Sequence, residues 1–174
     1  MVVVLFSCEN EMKVIHHLTQ QDTLPSESAK NIVVHYSDSG KLKAVLESPE
    51  LLKYTGDDPY MLFPSGIHVF FYDSIENIVS EIESDYAIQF EKKKVMEVRK
   101  NVIIFDHQNN KELYTEVLFW DQKQQRIYNN AFVTIKENGR IMHGDSMSAD
   151  ENLENFELFQ VRATIDIIEE DSLQ

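Results

Sequence analysis

The feature that most constrains this chain is a weak internal repeat of strand, polar turn and strand. KLKAVLES (41–48) followed by SGIHVFFYD (65–73) is echoed by KELYTEVLFWD (111–121) followed by NNAFVTIKE (129–137). Interleaved with these, SDYAIQFEKKKVMEVRKNVIIF (84–105) is echoed by SADENLENFELFQVRATIDI (148–167). A unit recurring at roughly 30 to 35 residues implies stacked hairpins, none of which can bury its apolar face alone. The expected fold is all-β: a strongly twisted antiparallel sheet folded on itself, a β-jelly-roll-like trough built of stacked hairpins.

The densest strand signal is Lys111 to Asp121, where Tyr114, Thr115, Val117, Phe119 and Trp120 crowd a span bounded by Asn109-Asn110 and Gln122 to Gln125. Trp120 is the only tryptophan. Strict alternation sorts this strand into Leu113, Thr115, Val117 and Phe119 on one face and Tyr114, Glu116, Leu118 and Trp120 on the other. Glu116 marks the second set as the outer face. Upstream, Ile32 to Tyr36 and Leu42 to Leu46 form a hairpin around Ser37 to Gly40, and SPELLKYTGDDP is expected to be irregular because of Pro49, Gly56 and Pro59. In the strand after Pro64-Ser65-Gly66, Ile67, Val69 and Phe71 oppose His68, Phe70 and Tyr72, so both faces are largely apolar. Such a strand is buried on both sides or faces a binding cavity. Ile75 to Phe90 fits a helical spacing or two strand segments, and strand is chosen because its neighbours are β. With only 5 glycines, the turns must rely on Asn, Asp, Ser and Lys.

A net charge of −14 excludes nucleic acid as a natural partner, since phosphate binding needs a basic face. The local exceptions, Lys92 to Lys94 and Arg99-Lys100, read first as solvated turns. The single cysteine, Cys8, excludes an intrachain disulfide, and no apolar run approaches the ~20 residues of a membrane-spanning helix. His16-His17 point to different faces and have no third ligand nearby, so no metal site is expected. No nucleophile elbow, phosphate loop or zinc spacing is present. His143, Asp145 and Ser146 are triad types, but on one strand and turn their side chains alternate and form no relay. The reading is non-enzymatic, with no catalytic residues and no cofactor.

MVVVLFSC at the N-terminus reads as the remnant of a lipoprotein signal, with small Ser7 before a cysteine to be acylated. No basic residue precedes Cys8, and Val2 to Phe6 is shorter than the ~7–15 apolar residues of a full signal core. A buried first strand with a structural cysteine is the other reading. The domain plan is then 1–8 signal remnant, 9–30 polar tether, 31–168 β domain and 169–174 acidic tail.

The run from VRKNVIIFDHQNNKELYTEVLFWD through IYNNAFVTI to GDSMSAD resembles the LptC family of lipopolysaccharide export proteins. YSDSGKLKA, FPSGIHVFFYD and the SCEN start resemble its Bacteroidetes-type members, so the likeness spans about Asn31 to Ile167. Where many members have glycine before the central strand this chain has Asn109-Asn110, and for their Gly-x-Gly it has Gly144-Asp145-Ser146. The resemblance implies a periplasmic, boat-shaped trough of antiparallel strands with an apolar interior, anchored at the inner membrane through acylated Cys8. It implies receipt of lipopolysaccharide, held by its lipid A acyl chains, from an inner-membrane ABC transporter and transfer to an LptA-like periplasmic protein through edge strands.

A groove for acyl chains needs alternate strand residues along its walls. The candidates are Val69, Phe71, Ile82, Val102, Ile104, Leu113, Val117, Val133 and Ile135, each of which could equally be ordinary core. Lys92 to Lys94 or Arg99 are candidates for phosphate at the rim. The alternative function is a lipoprotein structural or adhesion module whose solid core is filled by Phe71, Trp120 and Phe132.

Overall fold

The computed structural model describes residues 24–150 and 155–165. Within them are 14 strands and no helix, all joined in one antiparallel sheet, as the repeat predicts. In chain order these are β1 (Glu27–Asp38), β2 (Lys41–Tyr54), β3 (Tyr60–Phe63), β4 (Ile67–Tyr72), β5 (Ile78–Ser84), β6 (Tyr86–Phe90) and β7 (Val95–Asp106). There follow β8 (Lys111–Asp121), β9 (Arg126–Tyr128), β10 (Val133–Glu137), β11 (Arg140–Gly144), β12 (Ser146–Asp150), β13 (Glu157–Phe159) and β14 (Arg162–Ile165). Cys8, the expected tether up to residue 23 and the acidic tail lie outside the described residues.

The sheet folds because its long strands change partners half-way along. β2 pairs with β4 through Ala44 to Glu47 and with β3 through Leu52 to Tyr54. β7 pairs with β5 through Ile103 to Asp106 and with β6 through Val95 to Arg99. β8 pairs with β10 through Lys111 to Thr115 and with β9 through Phe119 to Asp121. One wall therefore holds β4, β5, β10, β11 and β14; the other holds β3, β6, β9, β12 and β13. Between them lies one apolar cluster that takes Val69, Ile82 and Ile135 from the first wall and Phe63, Met96 and Met147 from the second. The sequence echoes are real in space: β2 pairs β4 as β8 pairs β10, and β6 pairs β7 as β12 pairs β13.

Where each strand crosses between walls, it kinks. Asp85 separates β5 from β6 and its N–H donates to the Lys100 carbonyl at 3.0 Å; Asp145 separates β11 from β12 and donates to the Phe159 carbonyl at 3.0 Å. On β7, Lys100 and Asn101 both take positive φ, and the β7–β8 register shifts there. The kink changes which residues face inward. Inward positions step by two along Leu113 and Thr115, skip to Leu118, and resume at Trp120; they likewise skip from Ser84 to Ala87 and from Gly144 to Met147. A three-residue step reverses the parity of a strand, because side chains alternate with period two.

This corrects the face assignment for Lys111 to Asp121. Leu118 is buried and Trp120 packs against the core, so the set containing Glu116 is outside only in the first half of the strand. It also extends the first hairpin. β1 begins at Glu27, inside the stretch expected to be a tether, and β2 runs through Pro49 to Tyr54 instead of ending at Leu46. Pro49 falls in a gap of the ladder between the pairs Ile32–Ser48 and Lys30–Glu50, opposite Asn31 at φ 51°, where a residue without an N–H does least damage.

The turns opposite the kinks follow the expected chemistry. Ser39, Lys94, Asn110, Gln125 and Asn138 supply positive φ in place of glycine. Asp106 accepts the N–H groups of Gln108 and Asn109, and Asp121 those of Lys123 and Gln124, all at 2.9–3.0 Å. These are two copies of one Asp-led turn.

Candidate functional site

Between the walls of β1 to β8 lies a cavity of about 420 Å³, within the size range of small-ligand sites. Its first wall presents Ala44, Leu46, Val69, Phe71 and Ile82. Its second presents Met61, Phe63, Met96, Val98, Leu118 and Trp120. Ile32, Val34 and Tyr36 of the edge strand β1 complete one end. Phe71 and Trp120 meet edge to face, with ring centroids 6.4 Å apart at 73°, so the two walls touch across the cavity at this point. The polar lining residues Gln89, Glu91, Lys94 and Gln122 come from β6 and from the turns at its end and at the end of β8. The cavity is thus an apolar slot whose mouth is polar.

The nine sequence candidates divide by position. Val69, Phe71 and Ile82 line this cavity. Val102, Ile104, Leu113, Val133 and Ile135 are buried in the same apolar cluster but do not line this cavity. Val117 sits beside the kink, half-buried, outside the apolar cluster. The residues missed were on the second wall. Met96, Val98, Leu118 and Trp120 carry an alternation as clear as that of the first wall, but only once the parity reversal is allowed for.

The solid interior proposed for the alternative function does not match this arrangement in the first half of the trough. Phe71 and Trp120 border the cavity, and Phe132 is 56% exposed and stacked on His143 at 5.3 Å. Of the basic residues named for the rim, Lys94 reaches the cavity lining. Lys92 bonds the Asp57 carbonyl, Lys93 lies over the Phe90 ring at 5.0 Å, and Arg99 pairs with Glu97.

The wall is also organised on its outer surface. Glu81 receives His68 Nε2 on one oxygen at 2.6 Å and His107 Nε2 on the other at 2.7 Å. Burial pushes the Glu81 carboxyl up, but the hydrogen bonds from His107 and His68 and their charge outweigh it and hold the group below the usual carboxylate range.

The family model described as "Lipopolysaccharide-assembly, LptC-related" matches residues 1–166. The chain belongs to the LptC family. No curated protein matches it. As an LptC-family member it has a role in lipopolysaccharide transport. Asn110 takes φ 50° in the β7–β8 turn, and Gly144-Asp145-Ser146 is the kink between β11 and β12. A Cβ at Gly144 would crowd Leu158 Cδ2 at 3.0 Å and the Phe159 carbonyl oxygen at 3.2 Å. Among the described residues, no helix is long and apolar enough to cross a membrane.

Proposed function

We propose that the slot between the walls of β1 to β8 receives the acyl chains of lipopolysaccharide, which the chain takes from an inner-membrane ABC transporter and passes to an LptA-like periplasmic protein without catalysing any reaction on it. The observation that carries this reading is the apolar lining of a cavity with a polar mouth. Each methylene buried there contributes about 0.8 kcal/mol. With a net charge of −14, the chain gains little from the lipid's phosphates, so the acyl chains dominate and Lys94 marks where a phosphate would sit.

Transfer uses the ends of the sheet. β1 pairs only with β2, β13 only with β12 and β14 only with β11 among the described residues, and β1 exposes Val33, Val34 and Tyr36. Unpaired strand edges accept a further strand, which would continue the trough into a partner. The protein is held at the inner membrane by acylation of Cys8.

A photoreactive phenylalanine analogue at position 71, with controls at 116 and 135, tests the reading in cells. Adducts with lipopolysaccharide are expected at 71 and absent at 116, which is exposed, and at 135, which is buried away from the cavity lining. No adduct at 71 from a folded variant would sink the lipid-slot reading. That result would favour the second one, a structural module, for which the buried residues around Val133 and Ile135 speak.

A further inference from the structure

We infer that His68, Glu81 and Glu83 form a binding site for a divalent transition-metal ion of the zinc type on the outer face of the trough wall. His68 stands on β4 directly opposite Glu83 on β5, while Glu81 lies two residues along β5 on the same face. Register alone therefore delivers one imidazole and two carboxylates to one spot. Their ligand atoms lie within 4.8 Å of one another.

The spacing is compatible with a bound ion. An ion bound at ~2.0–2.2 Å in tetrahedral geometry holds its ligands about 3.4 Å apart. His68 Nε2 and Glu83 Oε1 are 3.5 Å apart, too long for a strong hydrogen bond and close to that tetrahedral edge. His68 Nε2 and Glu81 Oε2 are 2.6 Å apart, so an ion replacing the shared proton has only to part them by under an ångström.

The surroundings orient the set. His107, at the start of the β7–β8 turn, is fixed by its backbone N–H to the Val79 carbonyl at 3.0 Å and bonds the other oxygen of Glu81 at 2.7 Å. That is the position of a positioning residue, which aims a carboxylate ligand without touching the ion. The Phe70 ring lies 3.9 Å from the imidazole of His68 and limits its rotation. Glu81 is the more buried of the two carboxylates, with its side chain 18% exposed. A mixed imidazole and carboxylate set favours zinc and its neighbours over calcium or magnesium, which take oxygen alone. Three ligands leave a position for water. The ion would clamp β4 to β5, whose opposite faces carry Val69, Phe71 and Ile82 into the slot.

The test is calorimetric titration of tag-free, chelator-treated protein with Zn²⁺, alongside Ca²⁺ and visible spectroscopy of the Co²⁺ form. One equivalent of Zn²⁺ is expected to bind in preference to Ca²⁺, with the intense d–d bands of low-coordinate Co²⁺. His68→Ala and Glu83→Gln should each weaken Zn²⁺ binding at least ~10-fold, and His107→Ala by ~10-fold with the stoichiometry kept. His143→Ala should change nothing. Glu83→Gln, a half-exposed surface change, keeps the test valid if His68→Ala unfolds. No uptake of Zn²⁺, or uptake that Glu83→Gln leaves unchanged, would overturn the site; the second outcome would place the ion elsewhere in the chain.

Discussion

Replacing Leu118 and Val117 one at a time by alanine tests whether the kink in β8 reverses its faces. If β8 were an unbroken strand, Leu113, Thr115 and Val117 would point inward together, and Val117 would be the costly position. With the kink, Leu118 takes that place, 2% exposed and within the apolar cluster. A fully buried leucine cut to alanine costs ~2–5 kcal/mol, through lost transfer free energy and the cavity left behind. Leu118 already borders a cavity, so little can collapse into the gap, and about 3 kcal/mol is expected. Against a total stability of ~5–15 kcal/mol this is a large loss, and it should lower Tm by ~6–12 °C for a chain of this length. Val117→Ala should cost under ~1 kcal/mol. Urea unfolding followed by the fluorescence of Trp120, the only tryptophan, reads both variants against the parent. Equal losses, or a larger loss at Val117, would refute the reversed parity and with it the second wall of the slot.

Three further outcomes follow from the same geometry. Gly66→Ala should destabilise by more than ~3 kcal/mol in thermal unfolding, because at φ +85° its Cβ would stand 2.2 Å from the Ser84 carbonyl oxygen, backbone that cannot turn aside. Asn129→Ala should cost ~1–3 kcal/mol in urea, since the buried amide donates to Thr115 Oγ1 at 2.8 Å and accepts the Met147 N–H at 2.7 Å. Asp73 accepts the N–H of Asn77 first, then that of Ile75 and the Asn77 side-chain amide, and these bonds hold its carboxyl below the ordinary range. Because the folded-state pKa is the depressed one, this stabilisation is complete above the unfolded value of ~3.9 and is lost as pH falls through the folded value. Asp73→Asn should therefore lose less Tm than the parent between pH 5 and strongly acid solution; parallel curves would show that the turn gains nothing from the charge.

The strands were legible because their signals are local. Alternating β-formers between polar turns marked β4, β7, β8 and β10, and the paired echoes pointed to a stacked antiparallel sheet. What stayed hidden was non-local. Nothing in KELYTEVLFWD says that its two halves pair with different strands, so one periodicity was carried through a residue where the structure resets it. Pro49 misled for the opposite reason: a proline that reads as a strand breaker is tolerated at a crossing where the ladder is already interrupted. The outer cluster was illegible because His68, Glu81, Glu83 and His107 are dispersed in sequence and meet only through the register of β4, β5 and the β7–β8 turn.

Charge and lining together decide what a lipid should feel in the slot. Among the described residues, Lys94 is the only basic one in the cavity lining, against a chain carrying −14 overall, so Coulomb attraction to an anionic headgroup is weak and screened by salt. The apolar lining is insensitive to salt and rewards chain length. Shortening an acyl chain by two methylenes removes about 1.6 kcal/mol of burial, which is about tenfold in Kd when those methylenes sit within the walls. Titration of Trp120 fluorescence with lipids of matched headgroup and stepped chain length should show that dependence, and raising the ionic strength should move Kd far less. The reverse ranking, a steep salt dependence with no response to chain length, would mean that the lipid is gripped at the polar mouth and that its chains lie outside the slot.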